Sequence, residues 1–295
     1  MHTTLAINRR PGKLWAFLQF PLTRIVLAAL AMILVIGVIQ ACAKLAGIAP
    51  KSIGGVLIGL LITLATLATY VSFVRVVERR NVSELSLAGS VPEFASGFIV
   101  GVILFALTML VLLSLGQVDI ETAGGWQALG YPLLSALIAA VTEEVLMRGV
   151  LFRIIEESLG SWIALALSAA AFGALHAFNP GATLTSSIAI ALEAGVLLAA
   201  VFMVTRRLWM VIGLHTAWNF TEGGIFGASV SGGDARGMLA SHFHGPDVLT
   251  GGAFGPEASI VAVLVCLAAG VAFLFVARRR GNFVRPFWAR GAPAG

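Results

Sequence analysis

Charge is what this chain has least of. Only 11% of its 295 residues are charged while 59% are hydrophobic, against about 25% charged in a soluble globular protein. That shortage excludes an ordinary water-soluble domain and points to a chain folded within a bilayer. Cysteine is nearly absent too. The two present, Cys42 and Cys266, both lie in apolar runs, which excludes a disulfide framework and a cysteine-based metal site. Internal repeats and low-complexity tracts are missing, so neither a solenoid nor a linker-rich architecture is expected. The net charge of +5 and isoelectric point near 9.9 raise the possibility of nucleic acid binding. The basic residues, however, sit in short clusters beside apolar runs, which is the pattern of topology signals, and no nucleic acid partner is expected.

Apolar runs of about 20 residues suffice to cross a bilayer, and eight such spans are predicted: Pro21–Cys42, Ile53–Val74, Ala95–Gly116, Pro132–Leu159, Trp162–Ala177, Thr185–Thr205, Leu208–Phe220 and Ala258–Ala277. The fold expected is an all-α polytopic membrane bundle. With the N-terminus in the cytoplasm, fifteen basic residues, from Arg9 and Arg10 to Arg290, fall on the cytoplasmic side. Three fall on the other side, Lys44, Lys51 and Arg236, and Arg148 stays within the membrane. This asymmetry fits the positive-inside rule with an even number of spans and both termini cytoplasmic. The chain reads as one integral membrane domain over 1–295, with cytoplasmic tails at 1–20 and 281–295. The lipid bilayer is its expected environment. The longest connection, Glu222 to Glu257, is glycine-rich, but Gly251-Gly252 and Gly255-Pro256 argue for fixed turns within it.

Against that apolar background the polar residues stand out. Glu143 and Glu144 lie inside the fourth span, where an ionised carboxylate costs several kcal/mol, roughly 2.5–3.5 on the insertion scale. Glu144 and Arg148 are four apart on one helical face and can pair. Glu143 points about 100° away and has no local cation, as expected of a working general base. His176 closes the fifth span with Phe172 one turn before it. His215 and Asn219 share a face in the seventh, a pairing suited to holding an oxyanion or a metal. Depths along the helices, at about 1.5 Å per residue, bring Glu144, His176, His215 and also Glu193 of the sixth span to one mid-membrane layer. Carboxylate, imidazole and amide in a lipid-shielded pocket suit activation of water for attack on a carbonyl. Intramembrane Glu and His also build proton relays, as in a coupled transporter, although paired halves and discontinuous-helix signals are absent. A non-catalytic membrane partner, such as a scaffold or immunity protein, is the other alternative.

The segments Glu143-Glu144-Val-Leu-Met-Arg148, Phe172-Gly-Ala-Leu-His176 and His215-Thr-Ala-Trp-Asn219, in this order and spacing, resemble the three signatures of the CPBP intramembrane protease family. That family includes type II CAAX prenyl endopeptidases, bacteriocin-processing enzymes and Abi proteins. The resemblance covers a core at about 75–280. Glu78-Arg79-Arg80 before Glu84-Leu85 looks like its upstream cytoplasmic signature, and Gly251–Glu257 looks like a loop of many bacterial members. It implies an eight-helix endopeptidase acting on a membrane-associated peptide or protein, in a bacterial cell membrane. By analogy Glu143 is the general base and His176 helps orient the water. His215 and Asn219 hold the oxyanion, while Glu144, Arg148, Phe172 and Glu193 support the site. Zinc is a possible cofactor, with His176, His215 and Glu143 as ligands. No His-Glu-x-x-His motif is present, and a metal-free glutamate mechanism is preferred.

Overall fold

The computed structural model describes residues 12–234 and 236–290. Of the two expected tails, residues 1–11 and 291–295, with Arg9 and Arg10 among them, lie outside the described residues. A short helix α1 (Lys13–Leu18) leads into α2 (Pro21–Leu45), where Pro21 occupies the first turn, a position whose N–H would go unbonded in any case. Helix α3 (Ile53–Phe73) is capped by Ser52, whose hydroxyl accepts from Gly55 N at 3.1 Å. It runs on through a π-helical turn, Val74–Glu78. Helices α4 (Ser90–Ser114), α5 (Gly130–Glu144), α6 (Arg153–Leu159) and α7 (Ser161–His176) follow. A π-helical stretch, Val145–Phe152, joins α5 to α6 without a break. Next come α8 (Leu184–Ile190), which Thr183 and Ser186 close with a capping box, and α9 (Val196–Thr205). Helix α10 (Leu208–Asn219), the one-turn α11 (Asp247–Thr250) and α12 (Ile260–Arg279) complete the bundle.

This is a helical membrane fold. Helices α2, α3, α4 and α12 leave Leu30, Leu34, Leu64, Ile103, Leu110, Leu264 and Val271 exposed, an apolar exterior of the kind a bilayer covers. Among the described residues five helices are long and apolar enough to span a bilayer: Pro21–Leu45, Ile53–Glu78, Ser90–Ser114, Leu184–Thr205 and Ile260–Arg279. The other three expected spans are helical but differ for physical reasons. The fourth carries Glu143, Glu144, Arg148, Arg153, Glu156 and Glu157. The fifth has only 16 residues and the seventh starts as a 12-residue helix. Helix α9 is buried from Leu197 through Val204 on all sides, so it forms the centre around which the others pack.

The all-α expectation misses one small feature. Strands β1 (Val118–Thr122) and β2 (Leu239–Phe243) pair antiparallel, Val118 opposite Phe243 and Thr122 opposite Leu239. The pair ties the end of α4 to the long connection after α10. His244 Nε2 and Asp119 Oδ2, 2.7 Å apart, bind beside it. The turns expected in that connection are present. Gly255, at φ 120°, passes so close to Ser229 O that a side chain would collide with it, a backbone region open to glycine and little else.

Two contacts set the helices that matter most. Gly97 and Gly101 on α4 form a Gly-x-x-x-Gly step against the backbone of α10 at Met210 and Leu214, while Gly213 of α10 lies against the backbone of Phe94. Small residues let helices approach this closely within a bilayer. At the end of the bundle holding the N-terminus of α2, Glu78 gathers Arg24, Arg80 and Arg153. Glu84 adds bonds to Arg80 at 2.8 Å and Arg153 at 3.4 Å, and Glu157 binds Arg24 and Arg153. Burial opposes the charge on Arg80, but Glu84 and Glu78 more than offset it and raise its pKa above the usual arginine value. This arginine layer clamps α2, the end of α3 and α6 together. Tyr70 Oη, donating to Gly149 O at 3.1 Å, braces α3 against the π-helical stretch above that clamp.

Gly101→Val should lower stability in detergent by about 1–3 kcal/mol, the usual cost of overpacking. The same change at Gly37, which has open space around its Cα, should cost far less. Equal melting temperatures for the two variants would contradict the close α4–α10 contact.

Candidate functional site

The site is built where three helices leave regular α geometry. Glu143 and Glu144 end α5 just before the Val145–Phe152 π-helical stretch, which contains Arg148. Glu193 sits in a second π turn, Ala191–Gly195, between α8 and α9. Asn219 ends α10 where a third begins, Phe220–Ile225. Such turns are rare, interrupt the backbone ladder and concentrate at functional sites.

The two adjacent glutamates are in different surroundings. Glu144 is fully buried, and its Oε1 accepts from Arg148 Nη1 at 3.0 Å and from His215 Nδ1 at 2.9 Å. Arg148 is also fully buried. Its Nη2 donates to Ala194 O and Gly195 O, both at 3.3 Å, and its guanidinium lies 4.8 Å from the centre of the Phe172 ring. The carbonyls at the end of one π turn therefore hold a cation delivered by another. The Glu143 side chain is 37% exposed, and its Oε2 stands 3.9 Å from His215 Nε2, beyond hydrogen-bond range. That oxygen has no hydrogen-bond partner among the described residues.

Hydrogen bonds also define the imidazoles. His176 Nδ1 lies 2.8 Å from Phe172 O. A carbonyl only accepts, so Nδ1 carries the proton and, in the neutral ring, Nε2 is left as an acceptor. His215 donates through Nδ1 to Glu144, which turns its Nε2 toward Glu143. Phe172 lies between the two rings, 4.6 Å from His176 and 6.1 Å from His215 by centroids.

Two cavities meet at this wall. One, about 160 Å³, is lined by Glu143, Met147, Phe172, His176 and Asn179. The other, about 20 Å³, lies among His176, Glu193, His215, Asn219, Ser231 and Glu257. A polar space of that size holds about one water molecule. Thus Glu143 and His176 border one cavity, His176, His215 and Asn219 border the next, and Glu193 reaches the second as well. Asn219 also lies at the edge of a third, much larger cavity of about 510 Å³.

The polar segment is recognisable from outside the chain too. Residues 125–221 match the Rce1-like family of type II CAAX prenyl endopeptidases. No curated protein and no solved structure matches. The matched stretch, about a third of the chain, is Rce1-like and holds Glu143, Glu144, Arg148, Phe172, His176, Glu193, His215 and Asn219 together. This similarity supports a CAAX-type intramembrane endopeptidase in general terms.

The Rce1-like stretch does not account for everything at the site. Asn179, Ser231 and Glu257 line its cavities and were not singled out from the sequence. Ser231 Oγ donates to Glu257 Oε1 at 2.7 Å. Glu222, fully buried, lies against Glu257. Glu257 carried a faint signal as the last residue of the glycine-rich turn segment. Glu222 carried one as a carboxylate one turn beyond Asn219. Asn179 and Ser231 lie in loops and carried none. As for zinc, among the described residues no group of three or more His, Cys, Asp or Glu side chains is disposed to hold a metal ion. Glu143, His176 and His215 are therefore not placed to share one.

The asymmetry of the glutamates has a direct consequence for stability. Removing one member of a buried ion pair strands the other, at a cost of about 3–5 kcal/mol. Arg148→Met should therefore destabilise the purified protein by that amount. Glu143→Gln, which breaks no hydrogen bond, should change stability by less than about 1 kcal/mol. Chemical denaturation followed by circular dichroism would measure both, and similar losses would refute the division between them.

Proposed function

We propose that the chain is an endopeptidase that hydrolyses a peptide bond of a membrane-associated protein or peptide by direct attack of water. Glu143 is the general base. Its carboxylate takes a proton from a water whose other hydrogen is held by His176 Nε2. The water oxygen bonds to the scissile carbonyl carbon, and the carbonyl electron pair moves onto oxygen. Asn219 Nδ2 and the Nε2–H of protonated His215 donate to that oxyanion. As the tetrahedral intermediate collapses, the C–N bond breaks and the proton held by Glu143 passes to the departing amine. Glu144 and Arg148 touch no substrate in this scheme. They fix the rotation of His215 and compensate charge in a medium of low dielectric.

The observation that carries this proposal is the division of labour within one cavity wall. An unbonded carboxylate oxygen of Glu143 borders a space shared with His176, next to an imidazole whose far side is already anchored on Glu144. The proposed base, the histidine that orients the water and the oxyanion donors all lie within the Rce1-like stretch. The same grouping gives no reason to expect a covalent intermediate. Ser168, a buried serine one turn before Phe172, bonds its own helix at Leu165 O, 3.3 Å away.

The test is cleavage of a panel of single-span fluorescent peptides by purified protein in proteoliposomes. General-base catalysis contributes about 10²–10⁴-fold, so Glu143→Ala should reduce the rate by at least that factor while the melting temperature is retained. Asn219→Ala should lower kcat by about 10²-fold, as expected when one oxyanion donor is lost. Undiminished cleavage by the Glu143→Ala protein would overturn the assignment of the base.

A further inference from the structure

The cavity of about 510 Å³ is not used by the chemistry above, although Asn219 lies at its inner edge. It opens at the end of the bundle opposite the arginine layer. Lys51 reaches it from the turn between α2 and α3, and Arg236 from the connection ahead of α12. A second cavity of about 530 Å³ shares Lys51, Asp234 and Arg236 with it, so the same side chains form a common rim. At the arginine layer the guanidinium groups of Arg24, Arg80, Arg153, Arg206 and Arg207 are all taken up by glutamates. Lys51 and Arg236 differ. Among the described residues neither makes an ion pair within 4.0 Å, although Asp234 is close by on the same rim.

The wall of the cavity leads to the site. Tyr131, Ser135 and Ala139 of α5 line it, and they stand four apart, so they form one slanting stripe on the helix. The next position on that stripe is Glu143. From Tyr131 to Glu143 the helix rises about 18 Å. An extended chain advances about 3.3–3.6 Å per residue, so about five residues would cover the distance between rim and base.

We infer that this cavity is a substrate subsite, and that its Lys51–Arg236 rim binds a carboxylate on the peptide about five residues from the scissile bond. The inference rests on the proteolytic reading above for the bond that is cut, but the binding it describes is measurable without cleavage. Either an acidic side chain or a free chain terminus could supply the carboxylate.

The experiment uses the full chain carrying Glu143→Gln, in nanodiscs of zwitterionic phosphatidylcholine, with fluorescent single-span peptides as probes. One series moves a single Glu along the segment protruding at this end. A second has Gln throughout with a free terminal carboxylate, and a third has Gln throughout with a terminal amide. Binding should peak at one Glu position, about tenfold tighter than for the all-Gln amide. A matching gain for the free-acid series alone would assign the carboxylate to the chain terminus. The gain should vanish in Lys51→Ala/Arg236→Ala protein and weaken at high salt. Equal affinity across all three series would overturn the inference. So would a double variant that loses only its affinity for anionic-lipid nanodiscs, which would make the rim a headgroup site.

Wild-type protein given the same peptides separates the two claims. Carboxylate-dependent binding without any cleavage would sink the protease reading and leave the subsite standing. Cleavage with no carboxylate preference would do the reverse.

Discussion

One oxygen atom organises the interior of this protein. Glu144 Oε1 takes hydrogen bonds from Arg148 and His215 together, and each of the three side chains is buried. None of them could be there alone. A carboxylate, a guanidinium and an imidazole each lose several kcal/mol of hydration on leaving water, and only mutual bonding offsets it. Arg148 needs more than one oxygen, and the carbonyls of Ala194 and Gly195 supply the rest. A polar knot of this kind adds little net stability over a well-packed apolar core. What it does is fix three helices in one rotational register. It also fixes which nitrogen of His215 faces the cavity, a constraint on which any role for that nitrogen depends.

The departures from regular helix follow from the same requirement. A regular α-helix repeats every 3.6 residues, so a helix carrying two adjacent acids cannot direct both toward one partner. Here Glu144 turns inward to Arg148 and His215 while Glu143 turns to the cavity. The π-helical stretch begins one residue later, and within it Arg148 keeps its i, i+4 bond to Glu144 and also meets the α8–α9 junction. In the latter, the π turn at Ala191–Gly195 supplies the carbonyls. Glu78 ends a further π turn and serves the arginine layer in a similar way. In each case local regularity is given up where a buried charge has to be met.

Much of this was legible in the sequence because intramembrane charge is costly enough to be informative. Glu143, Glu144, Arg148, His176, His215 and Asn219 announced themselves by being polar where polarity is expensive, and the i, i+4 spacing of Glu144 with Arg148 anticipated their bond. The link that joins them to His215 was not legible, since it spans 71 residues of chain and no local pattern encodes it. Nor were the π turns, whose sequences share no common local pattern. The Gly97–Gly101 step was readable in principle but was hidden among 33 glycines. The β1–β2 pair joins two short, partly polar segments more than a hundred positions apart, too weakly alternating to stand out. The fourth, fifth and seventh helices begin and end close to where the apolar runs placed them, but their charge or shortness sets them apart from the five long apolar spans.

A protease working within a bilayer faces a difficulty that soluble enzymes escape. A membrane-spanning substrate is helical because lipid offers its backbone no partners. In a helix the scissile carbonyl is already bonded and turned away from any base. Hydrolysis as proposed therefore requires the substrate to unwind locally, and the freed amides and carbonyls must find polar groups or water. The two ends of this molecule are unequal in that respect. In the arginine layer Arg24, Arg80, Arg153, Arg206 and Arg207 already bind glutamates of the same chain. The opposite end presents a wide cavity with Gln127, Tyr131, Ser135 and Asn219 along its wall, groups able to bond an extended backbone on its way to Glu143. Unwinding is then least costly from that side. In the proposed mechanism the polar wall and the unbonded carboxylate of Glu143 answer one requirement, because a carboxylate kept free of protein partners is of use only where an unwound peptide can reach it.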